Sequence, residues 1–159
     1  MNTADPAIPM REHAWRYFEL HANQRIAVFN YFLVVSGAIA AGLATTLQGT
    51  QRFASLGIAL GGLLVLVAFV FWKLDQRVSF LIKLAESALS ETEHAFSAHS
   101  VCLFLFEPRN TSAAAANASW WSRHWTYGKA FRLVFVVMAV FGIAGATLSA
   151  LKFVGLVSW

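Results

Sequence analysis

The residues of this chain that could do chemistry are few and do not converge. Glu91-x-x-His94 has the i, i+3 spacing of a carboxylate-bridged dimetal motif, in which one helix turns a carboxylate and an imidazole to the same ion. That chemistry needs a second Glu-x-x-His on another helix. The sequence holds none, so the pair reads as a solvated helix face with an i, i+3 contact. Cys102 is the only cysteine, which excludes a disulfide framework and a cysteine-paired metal site within the chain. Ser/His/Asp order and Gly-rich phosphate loops are also absent. The expectation is a protein that is not an enzyme and holds no metal and no cofactor.

What remains is the chemistry of packing. Gly57-Ile-Ala-Leu-Gly61 is a GxxxG pattern, and Gly142-x3-Ala146 and Gly145-x3-Ser149 repeat the theme further on. Small residues four apart let helices approach closely in lipid, where area burial alone does not drive association. Packing within the chain accounts for these patterns as well as packing between subunits does. A second stripe lies nearer the N-terminus: Arg16, Asn23, Asn30, Gly37 and Ala44 recur at sevens, flanked by Glu19, Ala27, Val34, Ala41 and Thr45. At about 100° per residue these fall on one arc of a helix, opposite Trp15, Phe18, Phe29 and Leu33. A small, partly polar face opposite an aromatic one suggests that the small face turns away from lipid. Three partners fit it: a seam within the chain, a subunit interface, or the lining of a water-filled lumen, with Asn23, Asn30, Gly37, Ala41 and Thr45 as the residues concerned.

The elements that must position these residues are membrane spans. Ile26–Leu47, Phe53–Trp72 and Leu133–Leu151 are long apolar runs without an ionisable residue. A hydrocarbon core about 30 Å thick takes roughly 20 helical residues to cross. The runs are continuous rather than alternating, so they predict helices and not barrel strands. Hydrophobic residues make up 58% and charged residues 13%, which fits one small membrane domain and excludes an ordinary soluble fold. The fold class predicted is an all-α integral membrane protein with three transmembrane helices and a long cytoplasmic helical extension. An uncharged interior also argues against a proton relay or an ion-coupled transporter.

Along the single membrane domain of 159 residues, 1–25 form an N-terminal arm and amphipathic helix, with 1–10 irregular around Pro6 and Pro9. The first span is 26–47, the second 53–72 and the third 133–151. The first is taken as a retained span and not a signal peptide, because its leader is long and carries Asp5, Glu12 and Glu19. Between the second and third spans, 73–129 form a cytoplasmic helix and an interfacial segment. Leu74, Val78, Leu81, Ala85 and Ala88 step by four and three like a coiled-coil seam, with Ile82, Leu89 and Phe96 beside them. Val101–Phe106 is a short apolar run that needs cover. Trp120, Trp121, Trp125 and Tyr127 read as an aromatic belt at the membrane interface before the third span.

Net charge is +4, and its placement orients the chain. Seven of the twelve basic residues lie between the second and third runs or at their ends, and three more precede the first. By the positive-inside rule the N-terminus is cytoplasmic and the C-terminus is not. These charges sit where anionic lipid headgroups would meet them, so no nucleic-acid partner is expected.

Two segments carry a family resemblance. His21-Ala-Asn-Gln-Arg25 leading to Phe29-Asn-Tyr-Phe-Leu-Val-Val-Ser-Gly37 is one, and Phe71-Trp-Lys-Leu-Asp-Gln-Arg-Val-Ser-Phe-Leu-Ile-Lys-Leu-Ala-Glu86 is the other. Together they resemble the small helical-hairpin membrane proteins of bacterial antiphage and conflict loci, the SLATT-like effectors. The resemblance covers roughly residues 11–100 and implies two spans followed by a cytoplasmic helix, in the bacterial inner membrane, with a pore-forming role. The third span departs from that two-span pattern. Arg16 and His21 separately show the Arg-x4-His spacing seen in HEPN-type RNases, a two-residue pattern one or two turns from the membrane. The function expected is an oligomeric inner-membrane effector that perturbs or permeabilises the membrane in antiphage defence. The alternative is a membrane scaffold that recruits a soluble cytoplasmic sensor or effector through the 74–100 helix. Membrane lipid and further copies of the chain are the other expected partners.

Overall fold

The structure is a computed structural model that describes residues 7–95, 103, 104, 106 and 126–157. Trp120, Trp121, Trp125 and Phe96 lie outside the described residues. The described part is all-α. Helix α1 is Ala7–Gln48, a 3-10 turn spans Gln51–Phe53, α2 is Ala54–Ala95 and α3 is Tyr127–Phe153. Each of the three helices is long and apolar enough to cross a membrane.

Helix α1 begins at Ala7, inside the stretch expected to be irregular. Pro9 falls in its first turn, where the missing N–H has no intrahelical partner to lose and the fixed φ is already helical. No glycine or proline then interrupts the helix before Gly37. Helices α1 and α3 end differently. Helix α1 stops at Gly49, whose N–H reaches the Thr45 carbonyl at 3.0 Å. Helix α3 closes on Gly155 at φ +77°, with Leu156 N–H donating to the Leu151 carbonyl and Gly155 N–H to that of Lys152. That is a Schellman stop, and it needs the left-handed conformation that glycine adopts without cost.

The chain forms two compact units, one of Ile26–Gln76 with Tyr127–Trp159, the other of Met1–Arg25 with Arg77–Thr126. In the first, the covered positions obey one rule. Phe32, Ser36, Leu43 and Thr46 on α1 are buried, as are Ala54, Gly57, Gly61, Leu64 and Ala68 on α2, and Phe131, Phe135, Gly142, Gly145 and Ser149 on α3. Their steps of three, four and seven are those of left-handed knobs-into-holes packing.

The two ends of this bundle are built from different material. At one end Phe29 stacks on Phe131 with centroids 3.8 Å apart, and Phe135 meets Phe32 edge-on at 4.7 Å, with Phe71 5.4 Å from Phe32. Offset and edge-on rings are the favoured aromatic geometries. At the other end glycines and hydroxyls replace the rings. Phe29, on the face read from the sequence as aromatic, therefore packs against the core of this unit, whereas Leu33 on the same face is exposed. Large apolar side chains serve both roles in a membrane protein, so hydrophobicity does not tell them apart.

In the second unit, Val78, Ile82, Ala85 and Leu89 of α2 are buried, whereas Ala88 is exposed and Leu81 is half-covered; Leu74, still in the first unit, is exposed. Val78 and Ala85 of the stripe read from the sequence, with Ile82 and Leu89 of the one beside it, are thus the covered positions, and Leu74, Leu81 and Ala88 are less so. Buried Asp75, 3% exposed, occupies the next step of the true seam, where an apolar residue would be sought. The Phe104 ring meets Phe18 at 5.5 Å and Trp15 at 6.2 Å, so the short apolar run after α2 finds part of its cover on α1. The Glu93 carboxylate accepts the Leu103 N–H at 3.1 Å and ties that run to the end of α2.

Candidate functional site

Helix packing brings four of the singled-out residues together. A Cβ at Gly61 would lie 2.7 Å from both the Ala146 Cβ and the Gly142 carbonyl oxygen, and one at Gly142 would lie 2.8 Å from the Gly61 carbonyl oxygen. Backbone therefore faces backbone across α2 and α3, which only glycine permits. One step along, a Cβ at Gly57 would overlap the Ser149 hydroxyl and stand 2.8 Å from that of Thr46. These small residues form a seam within one chain.

Sequence reading missed three members of that seam. Leu43 lies directly over Gly145 and leaves no room for a Cβ there. Thr46 is buried and donates its hydroxyl to the Leu43 carbonyl at 2.7 Å, the helical back-bond that makes threonine tolerable away from water. Lys152 is 5% exposed and donates from Nζ to the carbonyls of Leu47 and Gly49, both at 2.7 Å. The available signal was spacing, since 142, 145, 149 and 152 continue a single register.

The stripe on α1 behaves in the opposite way. Asn23, Asn30, Gly37, Ala41 and Thr45 are all exposed, and a Cβ added at Gly37 would meet nothing within 4 Å. At 100° per residue Phe32, Ser36, Leu43 and Thr46 lie about 180° around the helix from this stripe. Among the described residues nothing covers this stripe. Thr45 donates to the Gly42 carbonyl at 2.7 Å, and Ala44, the stripe's last heptad position, is half-covered. The outward faces of α2 and α3 differ. Leu56, Ile58, Leu63, Leu66 and Phe69 are exposed on α2, and Val136, Val137, Val140, Phe141 and Ile143 on α3. Tyr127 opens α3, 78% exposed.

The candidate catalytic pairs are engaged elsewhere. Arg16 pairs with Glu12, both exposed, and His21 Nδ1 lies 2.8 Å from the Tyr17 carbonyl oxygen with its ring 4.1 Å from that of Tyr17. Glu91 and His94 are exposed at the end of α2. Among the described residues no group of three His, Cys, Asp or Glu side chains comes together to hold a metal ion.

Fold and site together define an all-helical protein with three helices capable of crossing a membrane, a glycine-and-hydroxyl seam within the chain, and one small, partly polar helix face left uncovered. The chain is 42% identical over 132 residues to CD-NTase-associated protein 19 of Escherichia coli, a match covering 83% of this chain and 85% of that protein. It belongs to the family of CD-NTase-associated protein 19. No protein-family profile matches the chain, and no solved structure matches it.

Proposed function

We propose that this protein is a non-enzymatic, oligomeric effector of the bacterial inner membrane that permeabilises it in antiphage defence, in the manner of the SLATT-like proteins its first two spans resemble. The observation that carries the reading is the uncovered α1 face of Asn23, Asn30, Gly37, Ala41 and Thr45. The Asn30 side chain, within the first span, is unfavourable against lipid tails without a partner, and a subunit seam or a water-filled lumen supplies one. The covered interior of the bundle is closed by aromatic rings at one end and by abutting backbones at the other, so a conducting path requires several subunits. The relative named for association with a CD-NTase supports a role beside a defence enzyme, with a soluble partner as the source of the trigger.

A second reading, a membrane scaffold that recruits such a partner, is favoured by Leu74, Phe80 and Leu84. These side chains are 42%, 66% and 54% exposed on α2, around and beyond the end of the apolar run. Purified protein in a planar bilayer, with and without its trigger or partner, separates the two. The effector reading expects conductance that Asn30→Leu and Thr45→Leu suppress with the oligomer intact, and that Val140→Leu on the outward face of α3 leaves unchanged. A silent bilayer with a well-formed oligomer supports the scaffold.

A further inference from the structure

Helix α1 has no basic residue in its last turn, so its own sequence offers no cation to its C-terminal end. The last four carbonyls of a helix lack intrahelical donors, and together they carry the negative end of the macrodipole. Here a residue some hundred positions away in sequence supplies the donor. Lys152, almost wholly buried, gives two hydrogen bonds of 2.7 Å to the carbonyls of Leu47 and Gly49. A buried ammonium is tolerated only where its protons are taken up, and these acceptors take them. A tie in the other direction lies alongside, since Gln51 Nε2 donates to the Phe153 carbonyl at 3.0 Å. One turn below, Leu43 rests on Gly145.

We propose that Lys152 is a positioning residue: it clamps the C-terminal end of α1 to α3 and so sets where the outward residues of that end, Ala41 and Thr45, are presented. The clamp assigns a task to the third span, the element that departs from a two-span hairpin. Its functional consequence rests on the α1 face being the working surface, as proposed above. The clamp itself does not.

Hydrogen–deuterium exchange on the full chain in lipid nanodiscs tests it. In Lys152→Met, which keeps the stem and removes the donors, amides of Thr45–Gly49 should exchange about tenfold faster or more, because bonds to a charged donor are lost and the end frays. Amides around Phe32 should not change. Lys152→Arg, which retains a charged donor, should keep the end protected. Gln48→Lys added to Lys152→Met restores a cation to α1 but no link to α3, and protection should stay lost. Unchanged exchange in Lys152→Met, or recovery with Gln48→Lys, would overturn the proposal; the second result would make Lys152 a counter-charge and not a tether. Should Lys152→Met fail to accumulate, Lys152→Gln is the substitute: partial loss of protection is expected, and none would overturn the clamp. This readout is indifferent to conductance, whereas Asn30→Leu reports on the α1 face alone, so the two ideas fail separately.

Discussion

The uncovered face of α1 and the uncovered faces of α2 and α3 differ in the material they present. Helices α2 and α3 turn Leu56, Leu66, Phe69, Val140 and Ile143 outward, side chains that lipid tails solvate as well as a protein core does. Helix α1 turns Asn30, Gly37, Ala41 and Thr45 outward along one arc and keeps Phe29 and Phe32 for the bundle, although Tyr31 and Val34 interrupt that arc and Ile26, Leu33 and Val35 are exposed as well. A helix built only to sit in lipid gains nothing from the Asn30 amide on its exposed side; an exposed glycine alone does not set α1 apart, since Gly62 on α2 also faces open space. Gly37 also costs about 0.8–1 kcal/mol of helix propensity relative to alanine, and nothing in the chain packs against it to offset that. That face is why the proposed function gives α1 a neighbour from another copy of the chain.

Substitutions on the two faces of α1 should therefore separate stability from function. Phe32→Ala empties a fully buried position among Phe71 and Phe135 and should cost about 3–5 kcal/mol, read as a large fall in melting temperature of the solubilised protein. Val34→Ala, on the uncovered face, should shift the melt of the single chain by less than about 0.5 kcal/mol. Equal effects would remove the distinction between the faces.

Glycines sharpen the same contrast at smaller magnitude. Gly61→Leu and Gly145→Leu force side chains into neighbouring backbone or Leu43 and should destabilise by about 1–3 kcal/mol or more. Gly37→Leu and Gly62→Leu meet open space, so the individual chain should melt normally. The account expects Gly37→Leu to disturb assembly nonetheless. A Gly37→Leu protein with native size and native conductance would put that face in lipid.

Orientation is tested without perturbing stability. In a Cys102→Ala background, cysteine at exposed Thr50 should react with an impermeant maleimide in intact spheroplasts, and cysteine at Ser90 should react only after lysis. Labelling in the reverse pattern would place the N-terminus outside.

The three helices are legible in the sequence because each apolar run is long, uncharged and free of proline. Gly57 and Gly61 are legible because no other side chain lets two backbones touch. The assignment of faces is less so. Phe29 and Phe32 are as hydrophobic as lipid-facing residues, and only the fold shows that they meet Phe131 and Phe135 just over a hundred positions later. On α2 the sequence names Val78, Ile82, Ala85 and Leu89 but also Leu74, Leu81 and Ala88, which are as regularly spaced as Asp75, Ile82 and Leu89, and a buried aspartate conceals which of the two sets is covered. Lys152 looks like a flanking charge until its two carbonyl partners are in place.

Whether the small face of α1 meets another copy of the chain is read from the mass of the detergent-solubilised complex. A defined assembly of several chains is expected, reduced in size by Gly37→Leu and unaffected by Val140→Leu. A complex with the mass of one chain would contradict it.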